Sequence, residues 1–216
     1  MDARMLAAMG AAFKLEPDLP TSQSQRDLKE LQIARQALIK DRTRLMNRLQ
    51  TLTLTFAVRQ AKARLALVSR QLCDIEAEIS LCIARHEATA HKRQILTSIP
   101  GIGAVSAAAI LIECREFGTL TGKQIASLSG LAPMTRQSGK WTGKAFIQGG
   151  RKHLREALYM PALVAARFNP DLKRKYQAML AAGKPAKVAL TALMRKLIEL
   201  ANILVKNDRE WIPNAA

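Results

Sequence analysis

The chain has 216 residues, with 34 Lys or Arg against 17 Asp or Glu, a formal net charge of +17. A surplus of that size says little about fold and points to polyanionic partners. The 49% hydrophobic content with only 4% aromatic suits a Leu/Ala-rich helical core and argues against a sheet that stacks bases on aromatic rings.

The surplus is uneven. Residues 1–92 hold 15 basic and 10 acidic side chains, and residues 93–216 hold 19 and 7. Cys73, Cys82 and Cys114 match no zinc spacing and read as reduced, mostly buried thiols, and His86, His91 and His153 are too scattered for a metal site. No signal peptide and no run of 18 apolar residues is visible, so the expected location is cytoplasmic and nucleoid-associated, with no membrane partner.

In chain order, Asp2 to Ala12 reads as the tail of an amphipathic helix whose stripe of Met5, Leu6 and Met9 needs a partner. Leu15 to Thr21 is expected to be a linker, because Pro17 and Pro20 each remove an N–H donor and bias the preceding residue away from helix. From Ser24 to Thr89 there is neither Gly nor Pro. Apolar residues recur there in steps of three and four. Leu28, Leu31, Leu38, Leu45, Leu49 and Leu52 share one seam with Arg35 and Arg42, and Ala61, Leu65, Val68, Leu72, Ile75, Ile79 and Cys82 make a second. This pattern predicts a coiled coil, with structural, bridging or dimerising roles. Alternating β-branched threonines at Thr51 to Thr55 favour a bend and an antiparallel hairpin; the alternative is one rod of roughly 100 Å at ~1.5 Å per residue.

The second part opens on Thr97-Ser-Ile-Pro-Gly-Ile-Gly, followed by small residues to Cys114. This matches a helix-hairpin-helix unit near 96–114, in which Gly101 and Gly103 bare backbone N–H groups at a helix N-terminus for a phosphate. The competing reading is an ordinary glycine turn between packed helices. Thr121 caps a short helix that Gly130 ends.

Leu131 to Arg155 then carries Arg136, Lys140, Lys144, Arg151, Lys152 and Arg155 with no acid, and Ser138 sits among them beside Gly139. Clustered cations neutralise phosphate, and glycines let a backbone come close to a ligand. The segment is expected to form a small β-hairpin or an irregular flap, with Trp141 and Phe146 pinning it to the core. Three helices follow. Pro161 implies a kink or break in the first, Asn169-Pro170 starts the second, Gly183 closes it, and Lys184, Lys187, Arg195 and Lys196 give the third a basic face. The fold class expected is therefore all-α in the main: a long coiled-coil hairpin followed by a compact helical domain with a helix-hairpin-helix element and a basic loop.

The runs IPGIG, EFGTLTGKQIASLSGLAP, QSGK, GGRKHLREALYMPALVAARFNPDLKRKY and GKPAKVALTALMRKLIELANIL, in one order from Leu96 to Trp211, resemble the C-terminal domain of the Piv-like, IS110-type insertion-sequence transposases. Asp2-Ala-Arg-Met-Leu-Ala resembles the end of the family's TDxxDAxxLA motif. The resemblance implies three parts: 1–20, a remnant of a RuvC-like N-terminal domain with its linker; 21–92, the coiled coil; and 93–216, the transposase domain. It implies a recombinase acting on a mobile element, in which a RuvC-like acidic cluster holding Mg2+ and a serine nucleophile form a composite site, guided by an element-encoded RNA. Ser138 matches the serine, and Asp2 matches the last of four acidic positions. With Asp2 alone, the metal site is incomplete and no Mg2+ is expected to bind well to this chain. The chain is thus expected to be an N-terminally truncated copy that binds DNA or RNA, is inactive alone and forms a homo-oligomer through the coiled coil. The alternatives are a non-enzymatic nucleic-acid-binding module that represses intact transposase, or a ribosomal or nucleoid-type basic protein.

Overall fold

The computed structural model describes residues 2–13, 22–139 and 141–213, and the described part is all-α in the main. The proposed linker with Pro17 and Pro20 lies outside the described residues. Helix α1 (Ala3–Ala12) is capped by Asp2 and buries no residue. Met5, Leu6 and Met9 are all exposed, so the apolar stripe has no partner among the described residues.

Helix α2 (Gln23–Thr51) begins at a capping box in which Ser22 and Gln25 bond each other's backbone N–H groups. It ends within the threonine patch. Leu52 and Leu54 are extended, and α3 (Thr55–Ala84) returns against α2. Of the two paths open to the sequence, the hairpin forms. Arg35 Nη2 meets Glu76 Oε1 at 2.8 Å across it, so this seam arginine is balanced by a facing carboxylate. Only Leu28 and Gln32 of α2 are fully buried, whereas Ile39, Met46, Leu54 and Phe56 are exposed. Two helices enclose too little volume to hide both of their apolar stripes. At its open end the hairpin docks onto the rest of the chain, where Leu28, Ile79 and Ile83 pack with Ala108. Lys29 Nζ also meets the buried carboxylate of Glu113 there, at 2.7 Å.

The second part is a bundle of α4 (Glu87–Ser98), α5 (Ala104–Glu113), α6 (Gly122–Leu128), α7 (Lys152–Phe168), α8 (Pro170–Ala181) and α9 (Ala186–Lys206). Helices α7 and α9 form its spine: Leu154, Leu158, Ala162 and Ala165 of one and Leu193, Leu197 and Ala201 of the other are 0% exposed. Buried Asn202 of α9 accepts from Gly118 N at 2.9 Å and donates to Leu120 O at 2.7 Å, which fixes the loop between α5 and α6. Asn169 ends α7 and caps α8, its Oδ1 accepting from Asp171 N and Leu172 N at 3.1 Å each. Thr121 caps α6 with its own capping box.

Two expectations are corrected. Helix α7 runs through Pro161 without a break, because that residue is buried against the core, where packing outweighs one lost helical hydrogen bond. Cys73 is exposed rather than buried, since it lies on the outer face of α3; Cys114 is buried. Trp211 packs against the core and its backbone N–H donates to Ser98 Oγ at 2.8 Å.

Candidate nucleic-acid interface

The basic segment between α6 and α7 folds as a flap of two nested antiparallel ladders. The inner ladder at the base joins β1 (Pro133–Met134) to β4 (Phe146–Ile147), and the ladder beyond it joins β2 (Gln137–Ser138) to β3 (Trp141–Thr142). Gly143 N donates to Arg136 O at 2.8 Å between the two. Ser138 pairs with Trp141 next to the turn at Gly139, so it stands exposed at the tip.

The base of the flap is closed by a crossing of two glycines. A Cβ on Gly150 would overlap the backbone N of Gly130, and one on Gly130 would overlap the carbonyl oxygen of Gly149. Both glycines have positive φ, +66° at Gly130 and +64° at Gly150, which side chains rarely tolerate. The entering and leaving strands of the flap therefore touch backbone to backbone, and Arg151 N donates to Leu128 O at 2.7 Å to hold them.

The basic residues divide by what they already touch. Arg151 is committed: Nη1 and Nη2 each bond a carboxylate oxygen of Glu116 at 2.8 Å, and Nη1 also donates to Glu113 O at 2.7 Å. That guanidinium holds the Glu116 carboxyl at about 2, well below its ordinary 4.5. Burial and the neighbouring Glu116 charge push the Cys114 thiol up to about 12, which keeps it protonated and unreactive. Arg155 Nη1 donates to Gly149 O at 2.7 Å and so braces the flap exit. By contrast Arg136 is exposed and lies over the Phe146 ring, 4.5 Å from its centroid. Lys144 and Lys152 are exposed, the latter with a long 3.7 Å pair to Glu156. Lys140 lies outside the described residues, as does the side chain of Trp141. Phe146 is half-buried and is not among the described side chains that pack on the bundle core, so the expected pinning by this ring is not seen.

The two glycines of the Pro-Gly-Ile-Gly turn play different parts. Gly101, at φ +112°, packs so closely on α7 that a Cβ would lie 2.7 Å from Pro161 O and 2.9 Å from Ala165 Cβ. Gly101 thus serves a close packing contact between the turn and α7. Gly103 caps α5, is exposed and has open space around its Cα.

Asp2 is not brought to Ser138. Its Oδ1 caps α1 by accepting from Arg4 N at 3.2 Å, and α1 packs against no other element among the described residues. No group of three or more His, Cys, Asp or Glu converges among the described residues either, so the donors here do not fit a magnesium centre. The sequence reading also missed the partner of Arg151. Glu116 is 35 positions away in an irregular loop, and no local spacing signals the pairing.

A family model described as the transposase IS116/IS110/IS902 family matches residues 93–177, which begin in α4 and end in α8 and include the whole flap. Over that segment the chain is similar to the transposases of this family. The chain is also similar to a pilin gene-inverting protein of Moraxella bovis, 29% identical over 97% of this chain and 66% of that protein. It is also similar to the 43.6 kDa protein of insertion element IS110 from Streptomyces coelicolor, 29% identical over 72% of this chain and 38% of the relative. The 42 kDa protein of IS900 from Mycobacterium paratuberculosis is 28% identical over 76% and 41%. The chain therefore spans about two-fifths to two-thirds of the length of these relatives.

Proposed function

We propose that this chain is the DNA-engaging part of a mobile-element recombinase and that Ser138 is its nucleophile. The observation that carries the reading is Ser138 itself: an exposed hydroxyl at the tip of a flap whose base is locked by Arg151 and Arg155, within a transposase domain. Attack by Ser138 Oγ on a phosphodiester forms an Oγ–P bond as one P–O bond to a deoxyribose breaks. The departing sugar oxygen takes up a proton equivalent to the one the serine loses, and the phosphoserine link conserves the bond for rejoining without ATP. Arg136, Lys144 and Lys152, exposed around the flap, together with Lys140, supply positive charge for the developing anion, and the exposed N-terminus of α5 at Gly103 supplies a further phosphate contact of the helix-hairpin-helix kind.

The Ser138 hydroxyl has no hydrogen-bond partner among the described residues, and Asp2 caps α1, which packs against no other described element, so this reading takes the acidic groups of the site from outside the described residues. An element-encoded RNA would carry the target sequence, as the family resemblance implies, and the exposed apolar side chains off the seam of the α2–α3 hairpin, Ile33, Ile39, Met46 and Leu67 among them, support assembly into a homo-oligomer. The same isolation of Ser138 favours a second reading, a nucleic-acid-binding module that competes with intact transposase.

The test incubates this chain with element-end DNA, element RNA and Mg2+, with and without an intact IS110-type relative whose own serine is replaced by alanine. The expected result is binding but no covalent adduct alone, and an adduct on this chain in the mixture that Ser138→Ala abolishes. An adduct retained by Ser138→Ala overturns the nucleophile; no adduct in any mixture, with binding intact, establishes the second reading.

A further inference from the structure

A groove of about 890 Å3 separates the flap from the last two helices, with β1 and β4 along one wall and α8 and α9 along the other. Five cationic residues line it, Lys175, Lys184, Lys187, Arg195 and Lys196, and no acidic residue does. Arg195 and Lys196 share Glu199 at 2.7 and 2.9 Å, whereas Lys175, Lys184 and Lys187 have no carboxylate partner among the described residues. Between these cations the floor is apolar, made by Phe146, Ile147, Met179 and Val188. Val188 is 54% exposed, a large cost for an aliphatic side chain that has nothing to cover it.

Unpaired cations say that the occupant is an anion, and the apolar floor says that it also carries flat or greasy surface. Duplex nucleic acid meets the first requirement only, because its base faces stay stacked inside and its phosphates face outward. An unpaired strand meets both: its phosphates reach the lysines while its bases lie on apolar side chains. An acidic amphipathic helix of a protein would also be complementary. The strand is favoured by position, since the groove shares the β1–β4 ladder with the flap that presents Ser138, and the Phe146 ring at the groove carries Arg136 on its face.

We propose that the groove between the flap, α8 and α9 holds an unpaired nucleic-acid strand, with phosphates on Lys175, Lys184 and Lys187 and bases over Phe146, Met179 and Val188. The proposal rests on the reading that the flap engages DNA, and it adds that one strand must leave its complement to be seated. Strand separation of this kind is what pairing with a guide RNA would require.

The experiment measures binding of the full chain to a labelled single strand of about 12 nucleotides, a length within the range of known single-strand sites, and to a duplex of the same length. The groove variants are K184A/K187A and the charge-introducing A178E, the latter at an exposed position of α8; R64A/R70A on the exposed face of α3 is the control for general charge loss. K184A/K187A is expected to weaken single-strand binding about tenfold and to reduce the salt slope by about 1.4, while duplex binding changes less than about twofold. A178E should weaken single-strand binding in the same direction, and R64A/R70A should leave the single-strand preference intact. Single-strand affinity within about twofold of the parent in K184A/K187A overturns the proposal, and so does an equal loss for the duplex. An acidic amphipathic peptide that displaces the strand and loses its own binding in K184A/K187A at least as strongly overturns it in favour of a protein partner. The Ser138-dependent adduct of the mixed assay is scored apart from strand binding, so failure of the covalent chemistry and failure of the groove are read separately.

Discussion

Arg151 holds Glu116 in a fork, Nη1 on Oε2 and Nη2 on Oε1 at 2.8 Å each, and the pair joins the flap exit to the loop after α5. Planar guanidinium and planar carboxylate match bidentately, a geometry an ammonium cannot reproduce. Arg151→Lys is therefore expected to destabilise the fold almost as much as Arg151→Ala. Both side chains are about one-third exposed, which places the pair near the low end of charge-assisted bonds, at about 1 kcal/mol. A double-mutant cycle with Glu116→Gln by chemical denaturation measures it; a coupling indistinguishable from zero would contradict the geometry.

The same pair sets an acid limit. The Glu116 carboxyl is at about 2 in the folded chain against an ordinary 4.5, so its contribution to stability is complete above about 4.5 and is lost as pH falls towards about 2. Glu116→Gln should flatten the stability curve across that window while leaving the difference between pH 6 and 8 unchanged, as read by denaturant titrations at each pH.

The two glycines of the Pro-Gly-Ile-Gly turn should respond oppositely to alanine. At Gly101 the positive φ and the contacts with Pro161 O and Ala165 Cβ predict a loss of about 2–4 kcal/mol. At Gly103 the space is open and φ is −86°, so alanine should change stability by less than about 1 kcal/mol. Thermal unfolding of both variants decides this, and equal effects would refute the assignment of Gly101 to packing.

Ser138→Ala should leave the unfolding temperature unchanged, because the side chain is exposed and makes no hydrogen bond among the described residues. A substantial drop would give Ser138 a structural role and weaken its reading as a nucleophile.

Removing Lys29 leaves the Glu113 carboxylate, 4% exposed, facing the interior with its charge partner gone. Lys29→Ala should loosen the docking of the hairpin, which hydrogen exchange would report as faster exchange in the first turns of α2 than in α9. Uniform protection in the variant would show that the apolar contact of Leu28, Ile79, Ile83 and Ala108 holds the hairpin alone.

The elements legible from sequence are those with local causes. Thr121 accepts from the N–H three residues on, Asn169 precedes a proline, and Gly183 takes a positive φ after α8, all within one helical turn of the boundary each one marks. The hairpin was legible as one of two paths, because Thr51, Thr53 and Thr55, which interrupt the helix, lie close together in the chain. Ser138 and the exposed cations of the flap were legible as composition and as family resemblance. Arg151, by contrast, looks the same as Arg136 in sequence, and only the fold separates the one locked on Glu116 from the one lying over Phe146.

By itself the sequence determined the helices, their ends, the basic charge and the family resemblance, because periodicity, capping and net charge are local or additive properties of the chain. Only the tertiary structure decided that Gly101 is spent on packing against Ala165, that Arg151 and Arg155 are braces, and that Lys175, Lys184 and Lys187 face an apolar floor with Phe146. Those outcomes depend on which distant residues the closed bundle brings within hydrogen-bonding or van der Waals reach, and no spacing along the chain encodes that distance.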